Sequence, residues 1–151
     1  MPMNPNTLIA DAAQQYNLPE WLIRAIIQVE SSGNPWAMRY ERNFYTLYIV
    51  RMEIHPIAPC SLYTEKVSRA TSWGLMQVMG QVARERGFAG PFLSTLLRPE
   101  IGIDYGCRQL AYLVKRFKVS DSWDPVIRAY NSGNPRADNL DYVKKVNAAR
   151  E

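Results

Sequence analysis

Pro19-Glu20-Trp21-Leu22-Ile23-Arg24-Ala25-Ile26-Ile27-Gln28-Val29-Glu30-Ser31-Ser32-Gly33-Asn34-Pro35 carries the periodicity that decides the fold class, and one residue that breaks it. At 100° per residue, Glu20, Arg24, Gln28 and Ser31 fall on one side of a helix, and Leu22, Ile23, Ile26 and Ile27 fall opposite. Pro19 suits the first helical position, and Gly33-Asn34-Pro35 stops the helix after about Ser31 or Ser32. Glu30 falls inside the apolar group, one turn beyond Ile26 and Ile27. A carboxylate aimed at a core must be paired, protonated or turned out to solvent. Burial and the negative end of the helix dipole both push its pKa upward. An acid that keeps its proton near neutral pH suits general acid catalysis. The same spacing also fits a last-turn glutamate that bends into water. From the helix alone both readings stand.

Helical spacing continues on either side. Thr7 can cap a first helix through Tyr16, with Leu8, Ile9, Ala12 and Ala13 on one face. Beyond Trp73-Gly74, a helix is expected from about Gln77 to Arg86, ending at Gly87, with a short one at Phe92–Leu97. Pro99 opens the longest helix, whose stripe of Ile103, Cys107, Leu110, Val114 and Phe117 is a buried seam. That makes Cys107 a core thiol. Ser122 can cap a helix carrying Trp123, Val126, Ile127 and Tyr130, stopped by Gly133 and Pro135. A last helix covers about Leu140–Ala149. Residues 38–69 read differently. Phe44 to Val50 fits strand or helix, and Ile54 to Leu62 reads as irregular chain, so the region is expected to be a surface excursion near the site it interrupts. With no repeat and no linker, the expectation is an all-α, single compact domain over residues 1–151.

Composition narrows the function classes. The chain has 151 residues, 47% hydrophobic and 21% charged, with a formal charge of +4. One domain of this length buries most of its apolar surface, which excludes a disordered chain. No apolar run is long enough to span a membrane. The two cysteines fit no disulfide scaffold or metal-ligand spacing, and the single histidine, His55, reads as a loop residue, so no metal or cofactor is expected. The long helix offers only Arg108, Lys115 and Arg116, with Asp104 among them. That is a solvated face, not a nucleic-acid footprint.

Three short segments then give Glu30 company: Glu30-Ser31-Ser32-Gly33-Asn34-Pro35, Ser72-Trp73-Gly74-Leu75-Met76-Gln77-Val78 and Ala129-Tyr130-Asn131-Ser132-Gly133. In this order, each at a helix edge of an all-α chain, they resemble the lytic transglycosylase (SLT) family, whose fold is goose-type-lysozyme-like. The likeness covers about Leu8 to Val146. It implies cleavage of the β-1,4 bond between N-acetylmuramic acid and N-acetylglucosamine in peptidoglycan. Glu30 matches the family's single catalytic acid, which then acts as base while the C6 hydroxyl closes a 1,6-anhydro ring. Gly74, Leu75, Met76 and Gln77 match the motif lining the sugar groove. There Gly74 would let backbone approach a sugar, and Gln77 can donate and accept. Ser72 could orient the Glu30 carboxyl. Tyr130 and Asn131 match the third motif, with Asn131 facing sugar. Tyr142 looks like the family's late tyrosine, which holds the acid by its hydroxyl. Core packing would also explain Leu75, Met76 and Tyr130.

The run from Glu30 to Gly74 is longer than the common family pattern and resembles the variant in phage-encoded wall-degrading proteins. Glu41, Glu53 and Glu65 lie in this insert. One of them, Glu41 first because it follows the acid soonest, could activate a water and make the enzyme a hydrolytic muramidase. A salt bridge from Glu41 to Arg39 or Arg42 is the structural alternative. A non-catalytic wall-binding module on the same fold is the other competing function. Residues 1–6 hold neither the positive charge nor the apolar stretch of a secretion signal. The expectation is a monomer made in the cytoplasm that reaches peptidoglycan after release by a holin or as part of a virion, with a bacterial chain whose signal has been trimmed as the alternative, and inserting in no membrane.

Overall fold

The computed structural model describes residues 3–150. Among them, α1 (Pro5–Tyr16) and α2 (Glu20–Ser31) form an N-terminal hairpin, and α6 (Pro99–Phe117), α7 (Asp124–Ser132) and α8 (Leu140–Ala148) close around them. Between the two groups lie β1 (Met38–Tyr40), α3 (Arg42–Phe44), a π-helical turn (Tyr45–Ile49), α4 (Leu62–Arg69), β2 (Thr71–Trp73), β3 (Val78–Met79), α5 (Gly80–Glu85) and a 3₁₀ turn (Leu93–Leu97). The class is all-α, as the periodicity implies, with one three-stranded antiparallel sheet that the sequence reading missed.

α6 is the axis. Ile103, Cys107, Leu110 and Leu113 are buried along it, and α1, α7 and the 3₁₀ turn pack around it. Burial pushes the Cys107 thiol up to about 12, as befits a core residue. The side of α6 carrying Asp104 and Arg108 is not simply solvated. Tyr16 on α1 donates to Asp104, whose other oxygen accepts from Arg108 at 3.0 Å, tying the first helix to the axis.

Several boundaries move for local reasons. α1 starts at Pro5, not after Thr7, because the Asn4 side chain accepts from the Asn6 amide and Pro5 fits the first turn. Pro19 is the residue before α2, not its first member, and Ser32 in the left-handed region ends the helix ahead of Gly33. Asp124 opens α7. Ser122 is only a distant acceptor for the Asp124 amide, at 3.4 Å, so it is not the helix cap. The helix expected from Gln77 begins only at Gly80. Gln77 has φ +48°, and Val78 and Met79 are taken by pairing with β2.

The 38–69 region is more ordered than its composition suggests. It holds its own small core of Ile49, Ile54 and Ala70. α4 is capped by Ser61, whose hydroxyl accepts from the Thr64 amide. Glu65 on α4 is 1% exposed and accepts from Arg69 at 2.8 Å and from Arg84 of α5 at 2.8 and 2.9 Å. That ion cluster clamps the insert to the helical body.

Candidate active site

A cavity of about 540 Å³ opens where the end of α2, the sheet, α3 and α7 meet. The sheet supplies one wall by strand alternation. Arg39 pairs with Ser72, and Ser72 with Met79, so these three side chains stand in a row across the strands, and all three line the cavity.

Glu30 enters from the last turn of α2, half-buried. Its Oε1 accepts from the Tyr142 hydroxyl of α8 at 2.6 Å, across 112 positions of sequence. Burial raises the Glu30 pKa above the ordinary carboxylate value. The Tyr142 hydrogen bond and the positive charge of Arg39 pull it partly back. Burial and the neighbouring carboxylate push the Tyr142 hydroxyl far up, so it stays protonated and can only donate to an ionised Glu30. The pair therefore holds the carboxyl in one orientation while leaving its second oxygen free of that bond.

The turn from Gly74 to Gln77 forms the support beneath the acid. The Ser31 hydroxyl donates to the Leu75 carbonyl at 2.7 Å, and the Tyr130 hydroxyl of α7 donates to the Met76 carbonyl at 2.6 Å. Burial, then the nearby Glu30, holds the Tyr130 pKa well above its usual value. α2 and α7 are thus both fastened to this turn. Ser31 adjoins the acid in sequence, so the signal for its role lay in the Glu30-Ser31 pair.

The sequence-derived site residues divide. Glu30, Glu41, Ser72, Gln77, Tyr130 and Asn131 line the cavity, and Tyr142 reaches it through Glu30. Met76 does not line it. The side chain is fully buried and fills the space left by Gly106 on α6, so its role is packing. Gly74 also stands away from the cavity wall. Its φ is +74°, and a Cβ there would lie 2.6 Å from the Leu96 carbonyl oxygen, so the 3₁₀ turn is a close neighbour that requires glycine at this position. Gln77 cannot both donate and accept, because its amide nitrogen already donates to the Ala37 and Gly74 carbonyls. Only its side-chain oxygen remains. Asn131 is exposed at the rim, and its side-chain oxygen accepts from Asn139. Ser72 makes no bond to the acid in this arrangement. The hydroxyl on Glu30 is that of Tyr142.

The three insert glutamates separate as sharply. Glu65 is consumed by its two arginines. Glu53 is almost fully exposed beside His55 and lies off the cavity wall. Glu41 lines the same cavity as Glu30 and also bridges Arg39 at 3.2 Å, so the expected ion pair is present. Sequence reasoning missed Arg39, Phe44 and Gln109. Arg39 is the one cation on the wall among the described residues. Gln109 of α6 brings a buried side-chain oxygen with no partner among the described residues. Strand alternation could have found Arg39 had β1 been read as a strand.

Known proteins give this arrangement a context. The family model "Transglycosylase SLT domain" matches residues 7–150. A membrane-bound lytic murein transglycosylase E from Buchnera aphidicola is 30% identical over 76% of this chain and 41% of its own length. A membrane-bound lytic murein transglycosylase C from Photorhabdus laumondii is 33% identical over 83% of this chain and 30% of its own. The chain thus spans less than half the length of these relatives.

Proposed function

The chain belongs to the transglycosylase SLT family, and from that premise we propose that it is a peptidoglycan lytic transglycosylase with Glu30 as its single acid and base. The observation that carries this reading is the half-buried Glu30 carboxyl on the cavity wall, with its pKa raised and its orientation fixed by Tyr142. Protonated Glu30 gives its proton to the oxygen bridging N-acetylmuramic acid and N-acetylglucosamine, and the C1–O bond breaks. The substrate's 2-acetamido group supports the charge at C1. Glu30, now a carboxylate, takes the proton of the C6 hydroxyl as that oxygen bonds to C1. A 1,6-anhydro ring closes, and Glu30 regains its proton. The substrate supplies its own nucleophile, so this sequence needs no metal or cofactor. On this reading residues 1–151 act as one catalytic unit, as a monomer. The insert's likeness to phage wall-degrading proteins supports an endolysin or virion-associated lysin that meets peptidoglycan outside the cytoplasm.

Glu41 favours a second reading. A carboxylate lining the same cavity could activate a water on the far side of the sugar, giving a hydrolytic muramidase. Mass spectrometry of products from purified peptidoglycan separates the two. Muropeptides about 18 Da lighter than their hydrated counterparts mark ring closure, whereas hydrated reducing ends mark a water nucleophile and Glu41 as base. Absence of any product would leave a wall-binding module.

A further inference from the structure

Beyond the cavity, the insert places aromatic rings where solvent reaches them. Phe44 is part of the cavity wall and half-buried, while Tyr48, one turn further on, is 60% exposed. Their ring centroids lie 5.0 Å apart. Tyr40, exposed at the end of β1, makes a second pair with Tyr45 at 6.1 Å. The backbone carrying these rings is fixed. α3 runs directly into the π-helical turn, and Ile49 at its end is fully buried in the insert's own core. π-helical turns are rare and recur at functional sites. Contiguous exposed apolar patches mark binding grooves, whereas singly scattered side chains do not. Because Phe44 belongs both to this patch and to the cavity wall, the rings continue the site outward.

We propose that the Phe44–Tyr48 pair is an outer saccharide subsite, occupied by the glycan strand where it leaves the cavity. The proposal rests on the glycan-cleaving reading above. A pyranose with equatorial substituents turns its axial C–H bonds to one face. That face is apolar and slightly positive, so it suits the negative face of an aromatic ring. The cavity would then hold the reacting sugars, and the rings would hold strands long enough to reach past it.

Substrate length is the test. kcat/KM is measured on glycan fragments of four and of eight sugars purified from peptidoglycan. The wild-type protein should favour the longer fragment by about two- to tenfold, the value of one stacking contact. Tyr48→Ala should bring that preference close to one. Tyr63→Ala, which removes an exposed aromatic of the insert outside the cavity wall, should retain it. A wild-type ratio of one, or an unchanged ratio in Tyr48→Ala, overturns the subsite. Calorimetric binding of the same fragments to Glu30→Gln, with and without Tyr48→Ala, needs no turnover. Length-dependent binding that is lost with Tyr48 supports the subsite even if the wild type cleaves nothing, and then the catalytic reading alone fails. Equal length dependence in both proteins overturns the subsite whatever the wild type cleaves.

Discussion

The end of α2 and the middle of α4 each withdraw a glutamate from water, and the two carboxyls move in opposite directions. At Glu30 burial dominates, and one neutral hydroxyl with one mostly exposed arginine only partly offsets it, so the pKa rises. At Glu65 burial acts the same way. Hydrogen bonds and charge from Arg84 and Arg69 outweigh it, and the pKa falls. Burial alone therefore says nothing about role. The partners decide whether a carboxyl stays available for proton transfer or becomes a permanent anion that holds two elements together. The helical body keeps the first kind at its cavity, and the insert keeps the second at its root.

The contrast breaks if either residue behaves like the other. Glu30→Gln should reduce cleavage by about 10²- to 10⁴-fold, the worth of a positioned general acid, in an assay on purified peptidoglycan. Its thermal stability at neutral pH should equal or exceed that of the wild type. A carboxyl whose folded pKa is raised weakens the fold as pH climbs above its unfolded value, and the amide escapes that loss.

Glu65→Gln should do the reverse. It leaves Arg84, whose side chain is 10% exposed, without its counter-charge, at a cost of about 3–5 kcal/mol, read as a lower urea midpoint. The folded pKa of Glu65 is depressed. Its contribution is therefore complete above the ordinary carboxylate range and disappears as pH falls through the folded value. The gap between wild type and variant should accordingly close in acid.

Tyr142→Phe sharpens the account of Glu30. Losing the bond should cost about 1 kcal/mol of stability. The hydroxyl favours the ionised acid, so its removal should raise the Glu30 pKa further. The alkaline limb of the pH–rate profile, where the acid loses its proton, should move to higher pH while the rate falls. Arg39→Gln should produce the smallest effect. It removes a cation that favours the carboxylate, so the same limb should shift upward slightly, with little change in stability because Arg39 is largely exposed. A downward shift in either variant would mean that some other group sets the limb.

Much of this was legible before any coordinates. Glu30 declared itself as the residue out of phase on its helix, and α6 declared itself by its stripe. Gly74, Met76 and Gln77 stand out as one motif, and core packing is one reading of Met76 from the sequence, but the partners of all three are invisible there. Gly74 answers to a carbonyl 22 positions away, Met76 to the missing side chain of Gly106, and Gln77 to the Ala37 carbonyl 40 positions back. The insert was hardest to read. Three-residue strands carry too little alternation to register, and a π-helical turn has no common spacing to recognise.

Local order follows from nearest neighbours, so the helices, the buried seam of α6 and the misfit of Glu30 are written in the order of residues alone. Which glutamate would be reactive was a different kind of fact. It depends on groups brought together by the fold: Tyr142 from α8 onto Glu30, Arg84 from α5 onto Glu65, and Arg39 from β1 into the cavity that Glu30 lines. The resemblance anticipates Tyr142 on Glu30, and sequence proximity anticipates Arg39 on Glu41; the arginines on Glu65 and the balance of burial against charge at each carboxyl emerge only in the folded chain, because a carboxyl's proton affinity is set by the charges and hydrogen bonds within a few ångströms of it, wherever in the sequence they arise.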